Sequence, residues 1–140
     1  MKHSDADYKN KIIQKLKPYL KKGNKILDVG CGDCEDDRYF KAYGLDAYGI
    51  DIFKHKNVDR ILGRKFKLGS IYKIPYINNS FDYVFCHDVL HHIDENKKRH
   101  ARYIAGLTEL KRVCKKNGKI IILEANRYNP IFYPHMVQME

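Results

Sequence analysis

No uninterrupted apolar stretch in this sequence approaches the roughly 20 residues that a membrane-spanning helix needs. The first residues, Met-Lys-His-Ser-Asp-Ala-Asp, also lack the apolar core of a secretory signal. A cytoplasmic location and no membrane span are therefore the default expectations. Cysteine is sparse, at four residues, and without a signal these do not make a disulfide framework. Internal repeats, low-complexity tracts and linker-like runs are absent from the 140 residues, so one domain over 1–140 is expected, long enough to bury a core.

Acid is in short supply: 17 Asp and Glu stand against 27 Lys and Arg, for a formal net charge of +10. Such an excess can draw a protein to nucleic acid, anionic lipid or an acidic substrate. Here the basic residues are spread over 9–25, 54–67, 97–102 and 111–119 rather than gathered in one block, which suits solvated helix faces and does not indicate nucleic acid. Apolar content of 44% with charged content of 31% is ordinary for a globular protein.

What is present is the stretch KILDVGCGDCE at 25–35. A short apolar run stopped by close glycines and followed by polar residues reads as strand, tight turn and helix start. Gly30 and Gly32 let the backbone turn sharply and let a ligand approach the main chain. The third glycine of a dinucleotide turn is missing, because Glu35 stands in its place. Asp28, Asp33, Glu35, Asp36 and Asp37 surround the turn, which disfavours a pyrophosphate and suits a cationic ligand.

At this point three segments resemble class I S-adenosylmethionine-dependent methyltransferases. Residues 26–32 (ILDVGCG) are similar to that family's first motif, 48–52 (YGIDI) to its second strand, and 81–93 (FDYVFCHDVLHHI) to its fourth strand and following turn. The resemblance runs in the family's order from about residue 9 to 130. It implies a doubly wound α/β sheet, mostly parallel, in the order 3-2-1-4-5, with S-adenosyl-L-methionine as cofactor and a small-molecule acceptor. It places Asp28, Gly30, Cys31 and Gly32 at the cofactor. The place of Ser70 commonly holds an acid in similar proteins, so adenine recognition is expected to rest on Ser70, the backbone of Ile71 and the side chain of Ile52.

Taken in order, Tyr8, Ile12, Ile13, Leu16, Tyr19 and Leu20 recur at helical spacing, with Pro18 ending or kinking that helix. A second helix through 38–43 meets Gly44, which can terminate it. Asp51 closes the second strand about twenty residues beyond the glycines, where an acid can reach ribose hydroxyls. A short helical segment within 55–63 and an alternating strand at 65–69 follow. The run 81–86 is nearly unbroken in apolar character, as in a central parallel strand covered on both faces. His87 and Asp88 then fall at the reactive end of the site, and His87, Asp88 and His91 are the candidate general bases. The longest helical pattern spans 97–116, with Asn117-Gly118 as its stop, and 119–125 is a second buried strand.

No metal is expected. His87, His91 and His92 share one neighbourhood, and Cys31 and Cys34 form a Cys-x-x-Cys, but no second pair completes a zinc site and the acids near the thiols raise their pKa. Cys31 reads as a small residue inside the turn. A thiol redox protein using Cys31 and Cys34, and a non-catalytic cofactor- or partner-binding module of the same fold, are the competing readings. Strand 119–125 is expected to be a bare apolar edge, because Pro130 and Pro134 make the tail a poor strand. A second copy of the chain, or a further segment of a longer protein, is expected to cover it.

Overall fold

The computed structural model describes residues 5–90, 99–125 and 134–139. Helix α1 (Asp5–Leu16) stops where a 3-10 turn, Lys17–Tyr19, places Pro18 at its start, since proline supplies no N–H to continue an α-helix. Strand β1 (Lys25–Val29) is exposed at Lys25 and buried at the next four positions, the pattern of a strand covered on both faces. Helix α2 (Glu35–Tyr43) ends at Gly44 in the left-handed region, its N–H returning to the carbonyls of Lys41 and Phe40. There follow β2 (Asp46–Asp51), the short α3 (Val58–Ile61), β3 (Phe66–Leu68), β4 (Phe81–His87), α4 (Arg99–Val113), β5 (Cys114–Ala125) and β6 (Pro134–Met139).

The six strands lie in the order β3-β2-β1-β4-β5-β6. The first five are parallel, as the sequence implied, and β6 is antiparallel to β5. Apolar side chains alternate between the faces. On one face Ile12 and Leu16 of α1 and Phe40 of α2 close on Ile26, Phe85 and Ile121; on the other, Leu110 and Val113 of α4 close on Leu27, Val84 and Ile122. Phe40 meets Phe85 edge to face at 4.9 Å between ring centroids, a geometry that adds about 0.5–1.5 kcal/mol beyond simple burial. Among the described residues no helix is long and apolar enough to cross a membrane.

Two expectations are corrected. Helix α4 ends at Val113, and β5 begins at Cys114 rather than 119. The N–H groups of Asn79 and Ser80 take the carbonyls of Arg112 and Val113, and Cys114 pairs with Phe81 before the register jumps to Tyr83 opposite Lys119. Gly118 is therefore no helix stop. A Cβ there would lie 2.6 Å from the Asp82 carbonyl and 2.7 Å from the Cys114 sulfur, so the close approach of the strands excludes a side chain.

The second correction concerns the edge of β5, which is not bare. Strand β6 pairs along it from Ile120 opposite Met139 to Ala125 opposite Pro134. Pro134 is the first residue of β6, a position where proline is tolerated, so it does not keep the segment from pairing.

Candidate functional site

The site grows from the β1–α2 turn. The N–H groups of Gly30 and Cys31 both donate to the carbonyl of Ile50, at 2.9 and 3.0 Å, stitching the turn to the end of β2. Gly32 N–H donates to Asp51 Oδ2 at 2.8 Å, and Phe53 N–H to Asp51 Oδ1 at 3.1 Å. Each carboxylate oxygen thus accepts one fixed backbone donor and keeps lone-pair capacity for a ligand. Gly30 has φ +78°, and a Cβ on it would come within 2.6 Å of Val89 Cγ2, so both conformation and space require glycine.

A cavity of about 600 Å³ opens at the carboxyl ends of the strands, where open α/β sheets bind ligands. Of the residues singled out from sequence, Gly30, Asp51, Ile52, Ser70, Ile71, His87 and Asp88 line it. Gly32 adjoins it through Asp51. Asp28 and Cys31 do not line it; both are buried behind the turn. His91, His92 and the segment 126–130 lie outside the described residues.

Phe53, Tyr72, Val89 and Arg102 also line the cavity, and sequence reasoning missed them. Ile52 and Phe53 are 63% and 67% exposed and sit side by side on the cavity wall, where their apolar faces could cover a flat ligand. Adjacent apolar residues just past a strand end are the signal that could have found Phe53. Arg102 is brought in from α4, across the chain, and carried no local signal.

At the end of β4, His87 Nδ1 lies 2.9 Å from Asp36 Oδ2, and Lys9 Nζ lies 2.7 Å from Asp36 Oδ1. Burial pushes the Asp36 carboxyl up, but the hydrogen bond with His87 and the Lys9 charge outweigh it and hold it below the usual range. An anionic Asp36 favours the tautomer with the proton on Nδ1, in which Nε2 is the acceptor nitrogen. Nε2 stands 3.6 Å from Asp88 Oδ2, beyond hydrogen-bonding reach. Asp88 has φ +53°, so the chain leaves β4 in a left-handed conformation that the turn imposes.

The acids around the turn divide in a way the sequence did not show. Asp33 is exposed and Glu35 is half-buried, the latter paired with Arg38 at 3.1 Å. Asp28, Asp36 and Asp37 are interior, beneath the turn. Burial, followed by the neighbouring Asp37 charge, pushes the Asp28 carboxyl well up; burial, followed by Cys34, does the same for Asp37. The sulfurs of Cys31 and Cys34 are 3.7 Å apart, and this contact raises the Cys31 thiol and lowers Cys34.

Residues 27–122 match the family model described as a methyltransferase domain. The chain is 33% identical over 132 residues to an uncharacterized methyltransferase, C1B3.06c, of Schizosaccharomyces pombe, covering 83% of this chain and 45% of the relative. It is 31% identical over 123 residues to the demethylmenaquinone methyltransferase of Staphylococcus saprophyticus, covering 81% and 50%. It thus spans about half the length of both relatives. Its fold superposes with a TM-score of 0.71 on a Burkholderia thailandensis 1,6-didemethyltoxoflavin-N1-methyltransferase, solved with 1,6-didemethyltoxoflavin and S-adenosylhomocysteine. That pair is 17% identical, and the match covers 96% of this chain and 62% of the neighbour.

Proposed function

The chain belongs to the class I S-adenosylmethionine-dependent methyltransferases, and from that membership we propose that residues 1–140 act as one domain transferring a methyl group from S-adenosyl-L-methionine to a small-molecule acceptor. The observation that carries the reading is Asp51, fixed by Gly32 N–H at the mouth of the strand-end cavity with its remaining lone pairs unused. The cavity's volume falls within the range of about 300–1,000 Å³ common for small-molecule sites.

In this reading Asp51 accepts the ribose hydroxyls. Ile52 and Phe53 cover one face of the adenine, and Ser70 and Ile71 meet its edge. The backbone at Gly30 lies against the amino-acid portion, where no side chain intervenes. Asp28 and Cys31, buried behind the turn, support it from below rather than by side-chain contact with the cofactor. The bound cofactor supplies a methyl group already activated on a sulfonium, so the chain itself needs no nucleophile. The protein's part is to align the acceptor and exclude water, which can contribute about 7–11 kcal/mol. Where the acceptor must lose a proton, His87 Nε2 takes it, with Asp36 holding Nδ1–H; Asp88 and His91 are the alternative bases.

Calorimetry with S-adenosylhomocysteine, S-adenosylmethionine and NAD tests the reading. Micromolar or tighter binding of the first two with no response to NAD is the expected result. Binding of NAD alone, or of none of the three, sinks it.

A further inference from the structure

Behind the glycine turn, away from the cavity, Cys31 Sγ, Cys34 Sγ and a carboxylate oxygen of Asp37 lie within 4.8 Å of one another. All three residues are buried, Cys34 and Asp37 completely. Among the described residues no fixed N–H or O–H donor meets either oxygen of Asp37 or Oδ1 of Asp28, and the two carboxyls, facing each other from α2 and β1, have only a proton shared between them to offset their burial. A buried carboxyl is ordinarily met by donors, held protonated, or paired with a cation. This one is aimed at two sulfurs.

The placement follows from the local chain. Cys34 is the residue just before α2, held at φ +63°, where glycine fits without strain, yet it carries a side chain turned inward. Asp37, three residues on, shares its helix face. Cys31 hangs below the turn, its sulfur against Gly49, where a Cβ would sit only 2.9 Å away. Two thiolates bound tetrahedrally at about 2.3 Å from one metal ion stand about 3.8 Å apart. The two sulfurs are separated by 3.7 Å.

We propose that Cys31, Cys34 and Asp37 bind a thiophilic divalent cation, of which zinc is the type, with Asp28 as the carboxyl that completes or orients the set. Soft sulfur donors select such a metal over magnesium or calcium. Binding displaces to solvent the protons carried by the two thiols and the proton held on the Asp37–Asp28 carboxyl pair, and puts a cation in their place. Its donors are all buried, so its part is structural: it ties the turn and the start of α2 together directly behind Gly30 and Gly32. It does not depend on the methyltransferase reading.

The test uses the full chain, purified under reducing conditions, stripped with a chelator and titrated with Co²⁺ alone, then with Zn²⁺. One equivalent of cobalt should give the visible absorption of a tetrahedral thiolate site. Zinc should displace it and raise the melting temperature by several degrees. Asp37→Asn and Cys34→Ser should each weaken zinc binding at least tenfold, and Cys86→Ser, whose thiol belongs to the other face, should not. Because the first two variants replace buried groups, the wild-type cobalt spectrum is the measurement that decides if they fail to fold. Absence of a thiolate–cobalt band in the stripped wild type, or a Cys31–Cys34 disulfide forming while zinc has no effect on melting, overturns the proposal.

Discussion

The carboxylate of Asp36, on the first turn of α2, lies 2.9 Å from Nδ1 of His87 at the end of β4, 51 residues further along the chain. Both side chains are nearly buried, at 11% and 10% exposure, so the pair is held away from water and is weakly screened. It locks the first helix after the turn to the strand whose end lines the cavity.

Stability should therefore depend on pH through Asp36. Its folded pKa is depressed, so its contribution is complete above the unfolded value of about 3.9 and disappears as pH falls through the lower folded value. Urea unfolding of wild type and Asp36→Asn across pH 2–7 measures this. The two curves should differ most near neutrality, by about 3 kcal/mol, and converge in acid. A difference that stays constant with pH rules out the ion pair as its source.

Asp51→Ala should weaken S-adenosylhomocysteine binding by about 2–4 kcal/mol, since charge-assisted hydrogen bonds to the ligand go together with the acceptor that fixes Gly32 and Phe53. Titration calorimetry reads this directly. An affinity unchanged within a factor of two means that Asp51 does not hold the ribose.

The two demands on Gly30 can be separated. Gly30→Ala places a Cβ into Val89 and forces an alanine to φ +78°, and should destabilise the fold by at least about 1–2 kcal/mol. Adding Val89→Ala should recover the steric part and leave the conformational part. Thermal unfolding of the two single variants and the double variant supplies the comparison, and strict additivity would show that the contact is irrelevant.

Removing residues 134–140 should uncover the outer edge of β5, whose residues Ile120, Ile121, Ile122 and Leu123 are all buried. An unpaired apolar strand edge invites pairing between chains. Sedimentation velocity should show the shortened chain self-associating at concentrations where the full chain does not. Identical behaviour of the two would show that β6 protects nothing.

The parts read correctly from sequence were those whose signal is local. The β1 run, its two glycines and the step to Asp51 lie within one β-α-β stretch, and the apolar character of 81–86 needs no partner to be recognised. What stayed hidden depends on distant contacts. Lys115 and Lys116 look like the last turn of a helix, and the pairing of Cys114 with Phe81 and of Lys119 with Tyr83 on either side of them shows them to be strand. Asp36 and Asp37 look like solvated acids at a helix start until Lys9, His87 and Cys34 are seen around them. Arg112 appears as one more helix cation. Its guanidinium in fact donates to the carbonyls of Ile74 and Tyr76 and to Glu109, holding the loop before β4 in place.

The strand order has a consequence for synthesis. Strand β1 is central, and the neighbour that covers its inner edge is β4, with two other strands made in between. On a ribosome moving at about 5–20 residues per second, β4 follows β1 by roughly 3–10 s. For that interval the nascent chain can pair β1 only with β2, and the row Ile26, Leu27, Val29 presents an unpaired apolar edge. The half of the sheet that carries the glycine turn thus stands with one open edge until residues 81–87 emerge and close it.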